Sequence, residues 1–203
     1  MYKFEIKRPS SFEIEAYIEK WNSLENYVLQ ESSLKKLFLE TYKYNTEMED
    51  VLIKVCALND FYSTNIFSPF VVAKHIVNLK IDNRLEKDDL NVVNEIAKIE
   101  MNGGNVKNFY SFATKYCSHH KPTVYPIYDS YVEKLLWYFK KKDKFSEFSR
   151  EDLRSFPLFK NILLDFRKFY GLESFDLKNI DQYLWQVGKE YFPKNYTKRL
   201  KKE

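Results

Sequence analysis

The chain has 203 residues, 44% of them hydrophobic and 18% aromatic, which is enough to bury a substantial core and is unlike a disordered composition. With 33 basic and 29 acidic residues the formal charge is +4, a mild surplus that does not by itself identify a nucleic-acid binder. Two cysteines, Cys56 and Cys117, argue against a disulfide framework and exclude a four-cysteine iron–sulfur cluster within the chain. No apolar run is long enough to span a bilayer and the Met1 segment lacks an apolar leader, so the expected address is cytoplasmic, with no membrane partner.

In chain order the pattern is helix after helix. Ser10-Ser11-Phe12-Glu13 forms a capping box that opens a helix to about Asn22. Ser32 and Ser33 are expected to cap a second, with Leu34, Leu37, Phe38 and Tyr42 on one face. Met48–Leu58 predicts a buried helix, and Ser68-Pro69 starts another carrying Val72, Ile76 and Leu79 at helical spacing. Asp88 and Asp89 are expected to cap Leu90–Ile99. Helices over Lys107–Ser118 and Asp129–Lys140 follow, separated by a loop over His119–Tyr125. Phe156-Pro157 opens a helix to Tyr170 with Gly171 beyond its end, and Asp176 caps the last, where Leu177, Ile180, Leu184, Val187 and Tyr191 repeat. Only Tyr2–Ile6 suggests a short strand, and four glycines with six prolines supply too little turn chemistry for a long β architecture. An all-α protein of about eight to ten helices is expected.

The most informative stretch is Met101–Val132. It holds the chain's one Gly-Gly pair, then Lys107, then Pro126-Ile127-Tyr128-Asp129 opening a helix. Gly103 and Gly104 permit a tight turn with positive φ, and unpaired N–H groups after such a turn suit phosphate oxygens. Met101-Asn102-Gly103-Gly104-Asn105-Val106-Lys107 falls on the frame apolar-Pro-Gly-x-Gly-x-Lys, with Asn102 for the proline and Asn105 for the second glycine. Pro126-Ile127-Tyr128-Asp129, with Val132 three residues on, corresponds to a Pro-Val-Asp motif lengthened by one residue. In these roughly 35 residues the chain resembles the helix-hairpin-helix DNA glycosylases, in particular their 8-oxoguanine glycosylase-like branch. Leu58–Ile66 is weakly similar to the helix-turn that carries DNA-wedging residues in that family.

The resemblance implies two packed helical subdomains flanking a cleft, one from about 1–85 plus 150–203 and one, with the hairpin, from about 86–149. It implies a double-stranded DNA partner carrying a damaged base, for instance an oxidised guanine, and no obligate protein partner. No cofactor is expected beyond a monovalent cation, sodium or potassium, at the hairpin. Base excision needs an extruded nucleotide, a pocket for the base and a group that stabilises positive charge on the sugar. An amine with a lowered pKa can attack the sugar and form a Schiff base, adding lyase activity. Lys107 matches the hairpin frame and is the favoured amine, Lys115 is the second candidate, and Asp129 is the carboxylate. Asp129 also has the residue type of a helix N-cap.

Gly103, Gly104 and Asn105 are expected to hold phosphate, and Ser63, Thr64 and Asn65 to fill the gap left by the extruded nucleotide. His119 and His120, read as partly exposed, could donate to phosphate or base. Lys140 and Lys141, in the Lys140–Lys144 run, and the basic tail at Lys194–Lys202 would add non-specific affinity. Phe61, Tyr62, Tyr183 and Trp185 are aromatic candidates for stacking on a base. Cys117, His119 and His120 lack the second cluster a zinc site needs, so no metal is expected there. Two other readings fit the same residues: a catalytically silent DNA-binding protein, and a helical protein-interaction module.

Overall fold

In the computed structural model, residues 4–101 and 103–193 are described, and among them are ten α-helices and one two-stranded sheet. Helix α1 (Ser11–Asn22) starts where the capping box predicts, with the Glu13 amide donating to Ser10 Oγ at 3.3 Å. Helix α2 (Glu25–Lys35) starts earlier than expected and widens into a π-helical segment at Lys36–Thr41. Ser32 and Ser33 are therefore inside a helix rather than at its cap; Ser32 Oγ donates back to the Leu29 carbonyl at 3.0 Å, as a mid-helix serine can. Of the expected first strand, Tyr2 and Lys3 lie outside the described residues and Phe4–Ile6 is not a strand; the buried Ile6 donates its N–H to Tyr138 Oη at 3.0 Å.

Helices α3 (Met48–Tyr62) and α4 (Pro69–Leu79) pack as a pair, followed by the short α5 (Asp82–Glu86) and α6 (Val92–Ala97). Here the chain departs from the expected helix-hairpin-helix. The predicted helix over Leu90–Ile99 ends at Ala97, and Lys98–Glu100 (β1) pairs antiparallel with Val106–Asn108 (β2), Ile99 opposite Lys107. Gly103 and Gly104, at φ +96° and +81°, turn a β-ribbon and not a bend between helices. The Met101 amide donates to the Asn105 carbonyl at 2.9 Å, and the Gly104 amide to Met101 at 3.0 Å. A β-branched residue at Ile99 facing the core favours the strand over one more helical turn.

Helix α7 (Tyr110–His120) thus begins three residues after Lys107 and takes in both histidines. Helix α8 (Ser130–Asp143) is capped by Asp129, whose Oδ1 accepts from the amides of Tyr131 and Val132 at 2.8 and 3.0 Å. Helices α9 (Phe156–Phe169) and α10 (Leu177–Tyr191) close the fold, with Pro157 in the first turn of α9 and Gly171 at φ +66° just past its end. The buried apolar side chains form one connected cluster running from Ile6 to Val187. Among the described residues no helix is long and apolar enough to cross a membrane.

Inside the core Lys54 is fully buried, its ammonium donating to the Tyr42 and Tyr44 carbonyls at 3.1 and 2.9 Å and to Asn45 Oδ1 at 2.6 Å. Burial pulls its pKa down to about 8, against the opposing charges of Asp82 and Asp50. Asn45 in turn donates to Asp82 and accepts from Tyr116 Oη at 2.5 Å, so the polar groups satisfy one another. This network ties α3, α5 and α7 together.

Candidate functional site

A cleft of about 610 Å³ opens between α2, the end of α3, α7, the start of α8 and α10. Its lining combines aromatic surface (Trp21, Tyr27, Phe61, Tyr62, Tyr131, Trp185) with Lys115, Asp129, Asp181, Glu31 and Lys178. A mostly aromatic wall with a few converging charged groups is the usual form of a small-molecule or base pocket. A second cavity, of about 450 Å³, shares the wall formed by Trp21, Glu31, Lys178 and Gln182. In that wall the Lys178 ammonium and the Glu31 carboxylate pair at 3.0 Å.

Two of the three expected catalytic residues line this cleft together. Lys115, on the inner face of α7 and only 5% exposed, donates to Ser111 Oγ at 2.6 Å and to the Ser111 carbonyl at 3.2 Å. Its Nζ lies 5.2 Å from the centre of the Tyr62 ring. Asp129 presents one carboxylate oxygen to the α8 amides while the residue lines the cleft. Capping and a role in the cleft therefore coincide. Lys107 is elsewhere: it sits exposed on β2, opposite Ile99, and is not part of the lining. Lys107 lies in β2 and Lys115, eight positions on, in α7, so they are not two points on one helix.

Ser63, Thr64 and Asn65 also reach the cleft. Ser63 ends α3 in the left-handed region at φ +48°, and Asn65 follows at +58°. Asn59 builds this turn: its Oδ1 accepts from Thr64 Oγ1 and from the Ile66 amide, each at 2.9 Å, and its amide donates to the Ile66 carbonyl at 3.0 Å. Gly103, Gly104 and Asn105 lie at the exposed tip of the ribbon, where a Cβ on either glycine would meet nothing within 4 Å. The glycines serve backbone conformation, and only Asn108 of the ribbon reaches the cleft lining.

His119 and His120 are not exposed loop residues. They form the last turn of α7 against Phe38, with ring centroids 5.4 and 5.1 Å away. His119 Nε2 meets Tyr62 Oη at 3.0 Å, and His120 Nε2 meets the Asn45 amide at 3.3 Å. Burial, then the nearby Lys178 and Lys115, pulls His119 down to about 3; burial, then Lys54 and His119, does the same to His120. His119 is buried and His120 half-buried, as the partial exposure expected for it implied, and both are neutral and already partnered, so neither is a free phosphate donor. The extra helical turn that draws them inward is what the loop expectation missed.

Lys140 and Lys141 lie at the far end of α8, about 17 Å along the helix from Asp129 at about 1.5 Å per residue. Lys140 pairs with Glu147 at 3.3 Å, donates to the Phe148 carbonyl, and stacks over Trp137 and Phe148. Lys141 is exposed with its ammonium 5.5 Å from the Trp137 ring. The basic tail at Lys194–Lys202 lies outside the described residues. Of the aromatic candidates, Phe61, Tyr62 and Trp185 line the cleft, whereas Tyr183 is 1% exposed and packs edge-on against Tyr17. Among the described residues no group of three or more metal-ligating side chains comes together.

Asp181 is the residue that sequence reasoning missed. It is 7% exposed and lines the cleft, yet no hydrogen bond and no ion pair reaches its carboxylate among the described residues. Burial raises its pKa to about 7, with Asp129 and Glu31 adding to the rise and Lys178 and Lys115 opposing it. The available signal was an acidic residue within the apolar arc of α10, four after Leu177 and three before Leu184.

A helical fold with one mixed aromatic and charged cleft is the class this geometry defines. Residues 13–124 match the family described as HI_0787_N, N-terminal domain, and the chain belongs to that family. Over 152 residues it is 51% identical to an uncharacterized protein of Haemophilus influenzae, across 74% of this chain and 72% of that one. No solved structure matches it.

Proposed function

We propose that this protein is a DNA base-excision glycosylase whose amine is Lys115. The observation that carries the reading is that Lys115 and Asp129 line one aromatic-walled cleft, with the Ser63–Asn65 turn at its edge. The amine nitrogen would bond to the sugar C1′ as the glycosidic C–N bond breaks, the base leaving with that electron pair and acquiring a proton. Ring opening of the sugar then gives a Schiff base from which β-elimination can cut the strand. The Asp129 carboxylate would face the positive charge that grows on the sugar. Lys115 is 5% exposed with its Nζ 5.2 Å from the centre of the Tyr62 ring, so the amine is held within the cleft rather than out in solvent.

Exposed apolar groups next to the cleft support a large partner rather than a small metabolite. Phe67 is 86% exposed just past the Asn65 turn, and Val106 on the ribbon is 67% exposed. Apolar side chains of this kind wedge into unstacked base steps when a duplex is opened. The lesion, in this reading a damaged base such as an oxidised guanine, would enter between Trp185 and Lys115.

The test is borohydride trapping on duplexes that carry oxidised guanine or an abasic site. Wild type and Lys107→Ala should form the covalent adduct, and Lys115→Ala and Asp129→Asn should not. An adduct retained in Lys115→Ala would overturn the assignment. Duplex binding with a steep salt dependence, but no adduct from wild type, would instead support a catalytically silent binder.

A further inference from the structure

Among the described residues two buried polar groups of the cleft lining make no hydrogen bond, the Tyr110 hydroxyl and the carboxyl group of Asp181, and of these Asp181 is the charged acceptor. Buried polar groups are nearly always hydrogen-bonded, because desolvation without a partner is costly. Asp181 is 7% exposed, its surroundings donate nothing to it, and what accessible surface it keeps belongs to a residue lining the cleft. Trp185 lies four residues further along α10 and therefore on the same face of the helix. A flat apolar surface and an unmatched acceptor thus stand side by side in one cavity.

We propose that Asp181 selects the occupant of the cleft by accepting hydrogen bonds from a planar nitrogen heterocycle, lying against Trp185, that carries a ring N–H next to an amino group. A carboxylate has two oxygens, and two parallel N–H donors match it in a bidentate pair. A heterocycle edge alternating acceptor and donor leaves one oxygen facing a lone pair, which is repulsive. The inference rests on reading the cleft as a base pocket and adds which edge of the ring is read.

The charge state of Asp181 makes the preference switchable. It is faced by Glu31 from α2, Tyr62 from α3, Lys115 from α7, Asp129 at the start of α8, and Lys178 on its own helix. Within that set its pKa is raised to about 7, burial being the largest cause. Ionised, above that pH, it accepts two donors. Protonated, below it, it offers one donor and one acceptor and suits the alternating edge instead.

Isocytosine and cytosine are neutral isomers of equal size: both carry an alternating edge beside the amino group, but only isocytosine also has a ring N–H beside it and can give an ionised carboxylate two parallel donors. Binding of each to the full chain is followed by NMR shifts of the Trp185 indole N–H, at pH 8 and pH 6. Wild type should prefer isocytosine to cytosine by about tenfold at pH 8, where Asp181 is mostly ionised, and lose that preference at pH 6, where the protonated carboxyl suits the alternating edges that both rings carry. Asp181→Asn should lose the isocytosine preference at pH 8 tenfold or more and lose the pH dependence, while its melting transition shows it folded. Trp185→Ala, followed through the indole N–H of Trp21 in the same cleft, should weaken both rings alike.

The same isocytosine-over-cytosine preference in wild type and Asp181→Asn at pH 8, or shifts confined to residues outside the cleft, would overturn the proposal. The assay uses no DNA and no lysine chemistry. A failed borohydride trap with Asp181-dependent ring selection would therefore sink the excision reading alone, and a successful trap without that selection would sink this one.

Discussion

Gly188 in α10 rests directly on Tyr131 in α8: a methyl group on Gly188 would sit 2.7 Å from Tyr131 Cβ, 2.9 Å from its carbonyl oxygen and 3.0 Å from its carbonyl carbon. The obstruction is mostly backbone, so it cannot be relieved by turning a side chain. This contact holds the first turn of α8 against α10, and with it the position of Asp129 relative to Asp181. Gly188→Ala should therefore lose about 1–3 kcal/mol through overpacking, read from the urea midpoint at unchanged slope. It should also weaken any activity of the cleft, because the helices that carry its two aspartates must move apart.

Asp129 does two things with one carboxylate, and substitution can separate them. Asparagine keeps an oxygen for the Tyr131 and Val132 amides, so Asp129→Asn should stay within about 0.5 kcal/mol of wild type. Asp129→Ala removes the cap and should cost about 1 kcal/mol. If the negative charge is what the chemistry uses, both variants lose borohydride trapping equally despite their different stabilities. Thermal unfolding and trapping measured on the same samples decide this.

The two histidines at the end of α7 make the fold sensitive to acid. Both have folded pKa values of about 3, below the ordinary 6.5, because burial disfavours the charged ring. In that interval the unfolded chain binds more protons than the folded one, so stability falls as the pH drops from about 6.5 towards 3. The loss should amount to several kcal/mol, of the order set by about 1.4 kcal/mol per pKa unit for each ring. Urea midpoints measured from pH 7 to pH 4 should decline steeply in wild type and less in His119→Gln, and equal slopes would refute it.

Asp181 acts in the opposite sense over nearly the same range. Its folded pKa of about 7 lies above the ordinary 3.8, so the folded state holds the extra proton and stability falls as the pH rises from about 4 to 7. Asp181→Asn should be more stable than wild type at pH 8, by up to about 4 kcal/mol on the same conversion, with the gap closing near pH 4. A site that keeps a residue at the expense of stability is the usual trade between function and folding. Equilibrium denaturation of the two proteins at pH 8 and pH 4 gives the comparison.

Much of the helical framework was readable from local chemistry. Ser10, Asp129 and Asp176 each cap the helix their position predicts, accepting from the amides of the first turn. Pro69 and Pro157 open α4 and α9, and Gly171 follows the end of α9 with positive φ. The errors fall where local preference was outvoted. Ser32 and Ser33 carry cap chemistry but lie within α2, and the segment before Gly103 forms a ribbon because Lys98–Glu100 finds a partner in Val106–Asn108. Pairing of that kind is a contact between segments, and a helical periodicity cannot report it.

For the candidate site the division is sharper. Residue order alone carried Asp129, Lys115 and the Ser63–Asn65 turn as candidates, since caps, amines and polar turns are properties of short stretches. Which lysine lies in the cleft was decided by tertiary structure, which turns Lys115 inward on α7 and leaves Lys107 exposed on a strand. The same holds for Asp181, whose pKa follows from burial beneath four other elements and from charges far away in the chain. Backbone conformation follows from neighbours in sequence, whereas desolvation and Coulomb interactions depend on neighbours in space, so only the packed fold could show which acids and amines share one cavity.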